Sequence, residues 1–295
     1  MNAALDSNVL PKTPSTWQAR LSLAFAKRQR GVRLVKSEHE GPLYVQKAFY
    51  PEGPDCAHVY LLHPPGGLVT GDTLSIDVTA QMNTHVLLTT PGAGRVYKAR
   101  ETGGVQTQNL HITVEQHAVL EWFPLETILF PDSHARMNTR VDLSTDAAFI
   151  AWDITCFGLP ANDVKFDGGS VNQKIQIWRE GKILLNEGLV IDESNSSVLT
   201  GNAGLRHLPV HGLMLAGPFN IDDAEPIDLI NGLRQLHIES TSNEFFAVTL
   251  NGEFMTVRYL GACTEKARQL FTQAWALIRP ALINKESTEP RIWAT

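Results

Sequence analysis

The stretch Thr73-Leu74-Ser75-Ile76-Asp77-Val78-Thr79-Ala80 decides the fold class. Leu74, Ile76, Val78 and Ala80 alternate with Thr73, Ser75, Asp77 and Thr79, and a period of two sends successive side chains to opposite faces of a strand. One face is therefore expected to be buried and the other wet. The same alternation returns at Leu110, Ile112 and Val114, and at Val171, Ile175 and Ile177 set against Asn172, Lys174 and Gln176. Residues 86–90 and 149–155 are continuous, largely apolar runs, the pattern of strands covered on both faces.

Turn residues punctuate these segments at Pro64-Pro65-Gly66-Gly67, Pro91-Gly92, Gly103-Gly104, Asp167-Gly168-Gly169 and Glu180-Gly181. Asn251-Gly252, between 245–250 and 254–259, is the strongest hairpin signal. Helical periodicity comes late. Pro226 can open a first turn ahead of Leu229, Ile230, Leu233 and Leu236. A second helix is expected over 264–283, with Thr264 as N-cap and a stripe of Ala267, Leu270, Phe271, Ala274, Leu277, Ile278 and Ala281. The expected fold is mainly β, a large sandwich-like body with a small number of C-terminal helices. Residues 17–295 are read as a single domain, and residues 1–16, polar and without periodicity, as a flexible N-terminal tail.

Composition narrows the function classes. The chain has 295 residues, 43% apolar and 19% charged, with a net charge of −6 from 25 Lys plus Arg and 31 Asp plus Glu. No basic block tracks a phosphate backbone, so nucleic-acid binding is not expected. Runs such as 147–152 and 213–216 fall far short of the ~20 apolar residues that span a bilayer, so no membrane role is expected. Cys56, Cys156 and Cys263 stand about a hundred residues apart, neither a disulfide framework nor a metal knuckle. With no basic segment leading into an apolar one at the N-terminus, the expected compartment is the cytoplasm.

Familiar catalytic motifs fail one by one. Gly66-Gly67-Leu68-Val69-Thr70-Gly71-Asp72 has the glycine spacing of a phosphate loop, but Asp72 stands at the lysine position, and a carboxylate repels phosphate. Pro91-Gly92-Ala93-Gly94-Arg95 lacks the third glycine and the helix of a dinucleotide fingerprint. His63-Pro64-Pro65-Gly66-Gly67 has no accompanying Gly-x-Ser-x-Gly elbow. His207 and His211 are four apart, but Pro209 between them argues against a shared helix face. No serine or cysteine nucleophile has a supporting context, and the chain reads as a non-enzyme.

Carboxylates remain. Asp72 follows a glycine turn, Glu121 and Glu126 flank Trp122-Phe123-Pro124-Leu125, and Asp153 interrupts an apolar strand. A carboxylate in that last position is costly unless it is hydrogen-bonded, paired or facing a wet cavity. Each taken singly reads first as a hydrogen-bond acceptor or turn cap. Two of Asp72, Glu126 and Asp153 as acid and base of a β-sandwich hydrolase is one alternative, and a partner-binding module without metal is another.

Five segments, in order, carry a resemblance. They are His63-Pro64-Pro65-Gly66-Gly67-Leu68-Val69-Thr70-Gly71-Asp72, Leu88-Thr89-Thr90-Pro91-Gly92-Ala93-Gly94-Arg95-Val96-Tyr97 and Leu120-Glu121-Trp122-Phe123-Pro124-Leu125-Glu126-Thr127-Ile128-Leu129-Phe130. Trp152-Asp153-Ile154-Thr155-Cys156-Phe157-Gly158 and Pro290-Arg291-Ile292-Trp293-Ala294-Thr295 complete the set. Together they resemble the urease accessory protein UreD family, called UreH in some bacteria, from about residue 17 to the last. Thr70 departs from the second glycine or small residue of that family's loop, which a turn tolerates only where positive φ is not required.

The resemblance implies a helicoid-like β body and a non-catalytic nickel metallochaperone. It implies binding to apo-urease structural subunits and to UreF, through which the GTPase UreG is recruited. No cofactor is expected to be tightly bound, and Ni²⁺ passes only transiently. Ni²⁺ accepts imidazole, carboxylate and water, and a transfer route must release it. Asp72, Glu126 and Asp153 are the first candidates to line such a route, because each lies in a family-like motif, followed by Glu121 and Glu187. In the tail, Arg291, Ile292 and Trp293 are candidate partner anchors, since Trp and Arg often dominate interfaces.

Overall fold

The computed structural model describes residues 16–101, 103–222, 225–237 and 243–294, so the expected tail, apart from Thr16, lies outside the described residues. Among the described residues the chain opens with β1 (Gln18–Arg28), β2 (Gly31–Glu40), β3 (Tyr44–Val45), β4 (Cys56–Leu62), β5 (Thr73–Ala80) and β6 (His85–Thr89). It continues with β7 (Gly94–Val96), β8 (Gln106–Val114), β9 (Val119–Phe123), β10 (Thr127–Leu129), β11 (His134–Leu143) and β12 (Ala148–Phe157). Strands β13 (Ser170–Arg179), β14 (Lys182–Ile191) and β15 (Val210–Gly217) precede helix α1 (Glu225–Arg234). The hairpin β16 (Phe245–Asn251) and β17 (Phe254–Gly261) forms where expected, but Asn251 pairs with Phe254 and the turn is Gly252-Glu253, one residue later than the Asn-Gly pair; helix α2 (Thr264–Ile283) follows.

A seven-stranded sheet has the order β14-β13-β11-β8-β5-β1-β2. A ten-stranded sheet runs β16-β17-β15-β12-β9-β6-β4-β3, with β10 beside β12 and β7 beside β10. Between β4 and β13 the chain passes repeatedly from one sheet to the other. Strands β4, β6, β9 and β12 are parallel neighbours in one sheet, and β5, β8, β11 and β13 are parallel neighbours in the other. Parallel neighbours need a long crossover, usually a helix. Here the crossover is a strand laid on the opposite sheet, which winds the body into the expected mainly β, helicoid-like double sheet.

Two cores follow from strand parity. In β5, Leu74, Ile76 and Val78 point inward and join Val59, Leu88, Leu120, Phe149 and Ala151 between the sheets. On the other face of the ten-stranded sheet, Leu87, Ile150, Trp152 and Ile154 pack with residues of α1 and α2. The odd residues of β12 therefore face the space between sheets, and the even ones face the helices. Both faces being covered, 86–90 and 149–155 read as continuous apolar runs.

Helix α2 differs from the expected stripe. Its buried residues are Ala267, Leu270, Phe271, Ala274, Trp275, Ile278 and Arg279, whereas Leu277 is 41% exposed. The buried face is turned toward Trp275 and Arg279 because both reach a carboxylate beneath the helix. The N-cap is Cys263, extended at φ −132°, without a side-chain cap bond; Thr264 is the first helical residue. Gly212 of β15 lets the helix seat, since a Cβ there would stand 2.8 Å from the Phe271 ring.

Candidate functional site

Asp153 shares the parity of Phe149 and Ala151 in β12, so it points between the two sheets. Three voids meet at this side chain. A cavity of about 310 Å³ is bordered by His63, Gln108, Trp122, Thr139 and Asp153. A second, of about 70 Å³, is bordered by Asp153, Gln173, Glu187, His211 and Arg258. A third, of about 10 Å³, touches Asp153 between Thr139 and Ile175.

Thr155 Oγ1 donates to Asp153 Oδ1 at 3.1 Å, and Gln173 Nε2 donates to Thr155 Oγ1 at 3.2 Å. Burial pushes the Asp153 carboxyl above its ordinary range, and hydrogen bonding to it by Thr155 and Gln173 only partly offsets that. Across the smaller cavity, Arg258 Nη2 donates to Glu187 Oε1 at 2.7 Å. Burial, then the charge of Arg258, hold the His211 imidazole down at about 4.

Of the five candidate carboxylates, Asp153 and Glu187 border the same cavity, and the other three stand elsewhere. Asp72 is a turn anchor: Oδ1 accepts from Trp17 N–H at 3.0 Å and Oδ2 from Val69 N–H at 2.9 Å. The loop takes its positive φ at Gly66 and Gly71, and Thr70 instead uses its hydroxyl to accept from Arg100 N–H at 2.7 Å. Glu126 lies in the turn before β10, where its carbonyl accepts from Gly94 N–H at 2.9 Å. Glu121 is buried on the helix-facing side of β9.

There Glu121 sits in an ion cluster. It takes Trp275 Nε1 at 2.6 Å on Oε2, and on Oε1 it meets His85 Nε2 at 2.6 Å and Arg279 Nη2 at 3.0 Å. Arg279 also reaches Glu52, which lies 2.6 Å from His58 Nε2. Burial pushes Glu52 up, but the His58 hydrogen bond and Arg279 outweigh it and hold the carboxyl at about 2. Burial opposes the charge on Glu121 too, yet His85 and Arg279 outweigh it and hold that carboxyl low.

The tail closes over this face. Trp293 Nε1 donates to Thr89 Oγ1 at 2.9 Å, and its ring lies 5.3 Å from Trp152 and 6.1 Å from Trp275. Arg291 is exposed, and Ile292 is half-buried.

Sequence reading misses Gln108, Thr139, Gln173 and Arg258, which are polar positions on inward faces of strands. It singles out His211 only by its spacing from His207, which borders a separate groove with Lys165 and Pro209. A signal for Gln173 exists, since it shares parity with Val171 and Ile177 in β13.

Among the described residues, no helix is long and apolar enough to cross a membrane. The family model described as UreD urease accessory protein matches residues 18–294. The urease accessory protein UreD of Marinomonas sp. (strain MWYL1) is 49% identical over 296 residues, covering 99% of this chain and 94% of that protein. The UreD of Methylobacillus flagellatus is 37% identical over 279 residues, covering 95% of each chain. That of Alcanivorax borkumensis is 40% identical over 283 residues, covering 95% of this chain and 92% of that one. The chain belongs to the UreD family of urease accessory proteins, which serve urease maturation.

Proposed function

We propose that this chain is a cytoplasmic nickel metallochaperone scaffold that holds apo-urease and UreF together, recruits the GTPase UreG through UreF, and gives Ni²⁺ a polar route toward the urease active site. Members of the UreD family are non-catalytic scaffolds, which sets the hydrolase alternative aside. The observation that carries the nickel reading is Asp153, a carboxylate shared by two cavities, with Glu187 and His211 around the second. Carboxylate oxygens and an imidazole nitrogen suit Ni²⁺. Arg258 keeps Glu187 partly neutralised, so the ion is held weakly enough to move on.

Asp72 and Glu126 stay in the proposal at the entrance. Glu126 lies between Leu125 and Thr127, which border the larger cavity, and the charge of Asp72 acts on His63 at its edge. Glu121 remains only as support beneath α2. In the tail, Arg291 is the proposed partner contact, with Ile292 and Trp293 as its base.

The test is urease activity in cells carrying a nickel-urease gene cluster whose UreD-type component is deleted and replaced by this chain. Nickel-dependent activity that Asp153→Ala abolishes, while UreF and apo-urease are still pulled down, is the expected result. Full activity in the Asp153→Ala, Glu187→Ala double variant would favour a partner-binding module with no metal route.

A further inference from the structure

The cluster beneath α2 contains more than an ion pair requires. Cys56 of β4 pairs in register with His85 of β6, so Cys56, His58 and His85 share the helix-facing side with Glu121. Glu52 enters from the turn before β4. The ligand atoms of Glu52, Cys56 and His58 lie within 4.8 Å of one another. Carboxylate oxygen, sulfur and imidazole nitrogen at that spacing match a divalent transition-metal site. His58 is fully buried, and its Nδ1 has no hydrogen-bond partner among the described residues.

A positive charge already stands in this donor set. Arg279 Nη2 lies 2.9 Å from Glu52 Oε1, 3.0 Å from Glu121 Oε1, 3.5 Å from His85 Nε2 and 3.9 Å from Cys56 Sγ. Its Nη1 donates to the Glu286 carbonyl just beyond α2. Withdrawal of the guanidinium therefore breaks its bond to the segment that follows α2.

We propose that Glu52, Cys56 and His58 form a divalent-cation site of the zinc, cobalt or nickel class, with His85 beside it on Glu121, and that Arg279 fills this site with its own charge while α2 is docked. Charge balance fits this exchange. A divalent ion entering with loss of the Cys56 thiol proton to solvent adds one net positive charge, the same as the guanidinium it replaces. The inference does not depend on the nickel route. It describes a soft-ligand site on the opposite face of the sheet, closed against a cation that would be held too tightly there.

The test is the full-length Arg279→Met variant, purified metal-free and titrated with Co²⁺ alone. One equivalent binding with a thiolate-to-cobalt absorption band, absent from the parent chain and lost when Cys56→Ser is added, is expected. Should the metal-free variant fail to fold, Co²⁺ or Zn²⁺ is expected to restore a cooperative melt. A folded variant without the band, or one that stays unfolded in metal, overturns the proposal.

Discussion

Arg279 and Glu121, 158 residues apart, form an ion pair in which both side chains are fully buried, with Nη2 3.0 Å from Oε1. The pair staples α2 to β9. Because removal of one partner leaves a buried charge uncompensated, Glu121→Ala is expected to cost about 3–5 kcal/mol in urea unfolding. A loss below about 1 kcal/mol would mean that Glu52 alone holds the guanidinium.

Asp153→Asn separates stability from function. Burial raises the Asp153 carboxyl, so its charge costs stability at neutral pH. The amide is expected to hold or raise the unfolding midpoint while urease activation falls. A midpoint lower by several degrees would mark Asp153 as structural.

Acid sensitivity should come in two windows. His211 titrates at about 4 when folded against an ordinary 6.5, so the unfolded chain takes the proton first and stability falls as pH drops from 6.5 toward 4. The shift is worth about 3 kcal/mol. Glu52, held at about 2 against 4.5, contributes stability above 4.5 that is lost as pH falls through 2. His211→Asn is expected to flatten the upper window only. Equal slopes in both proteins between pH 6.5 and 4 would contradict this.

The tail offers a contrast between neighbours. Trp293→Ala removes ring contacts with Trp152 and Trp275 from a half-buried position and is expected to cost about 2 kcal/mol. Arg291→Ala, at an exposed position, is expected to leave the melt unchanged and weaken UreF pull-down. Unchanged pull-down would remove Arg291 from the proposed interface.

Much of the fold is legible because strand parity is local. Leu74, Ile76 and Val78 show their inward face within one strand, and Asn251-Gly252 marks its own hairpin. The face of α2 is misread because Arg279 looks like a solvent residue until Glu121 and Glu52, both distant in sequence, are placed beneath it. Asp153 and Glu187 meet only through the winding of the two sheets. Spacing along the chain carries no trace of that meeting. Asp72 shows the reverse: a suggestive motif whose carboxylate is occupied by two backbone N–H groups.

Helix α2 covers a sheet face that carries Glu121, His58 and His85, and it is made after every strand of that sheet. During synthesis the nascent body must wait with that face open to water. The chain is therefore most exposed to aggregation just before α2 is made, and a product truncated ahead of residue 264 would have all its sheets but a largely apolar face around that cluster without a lid.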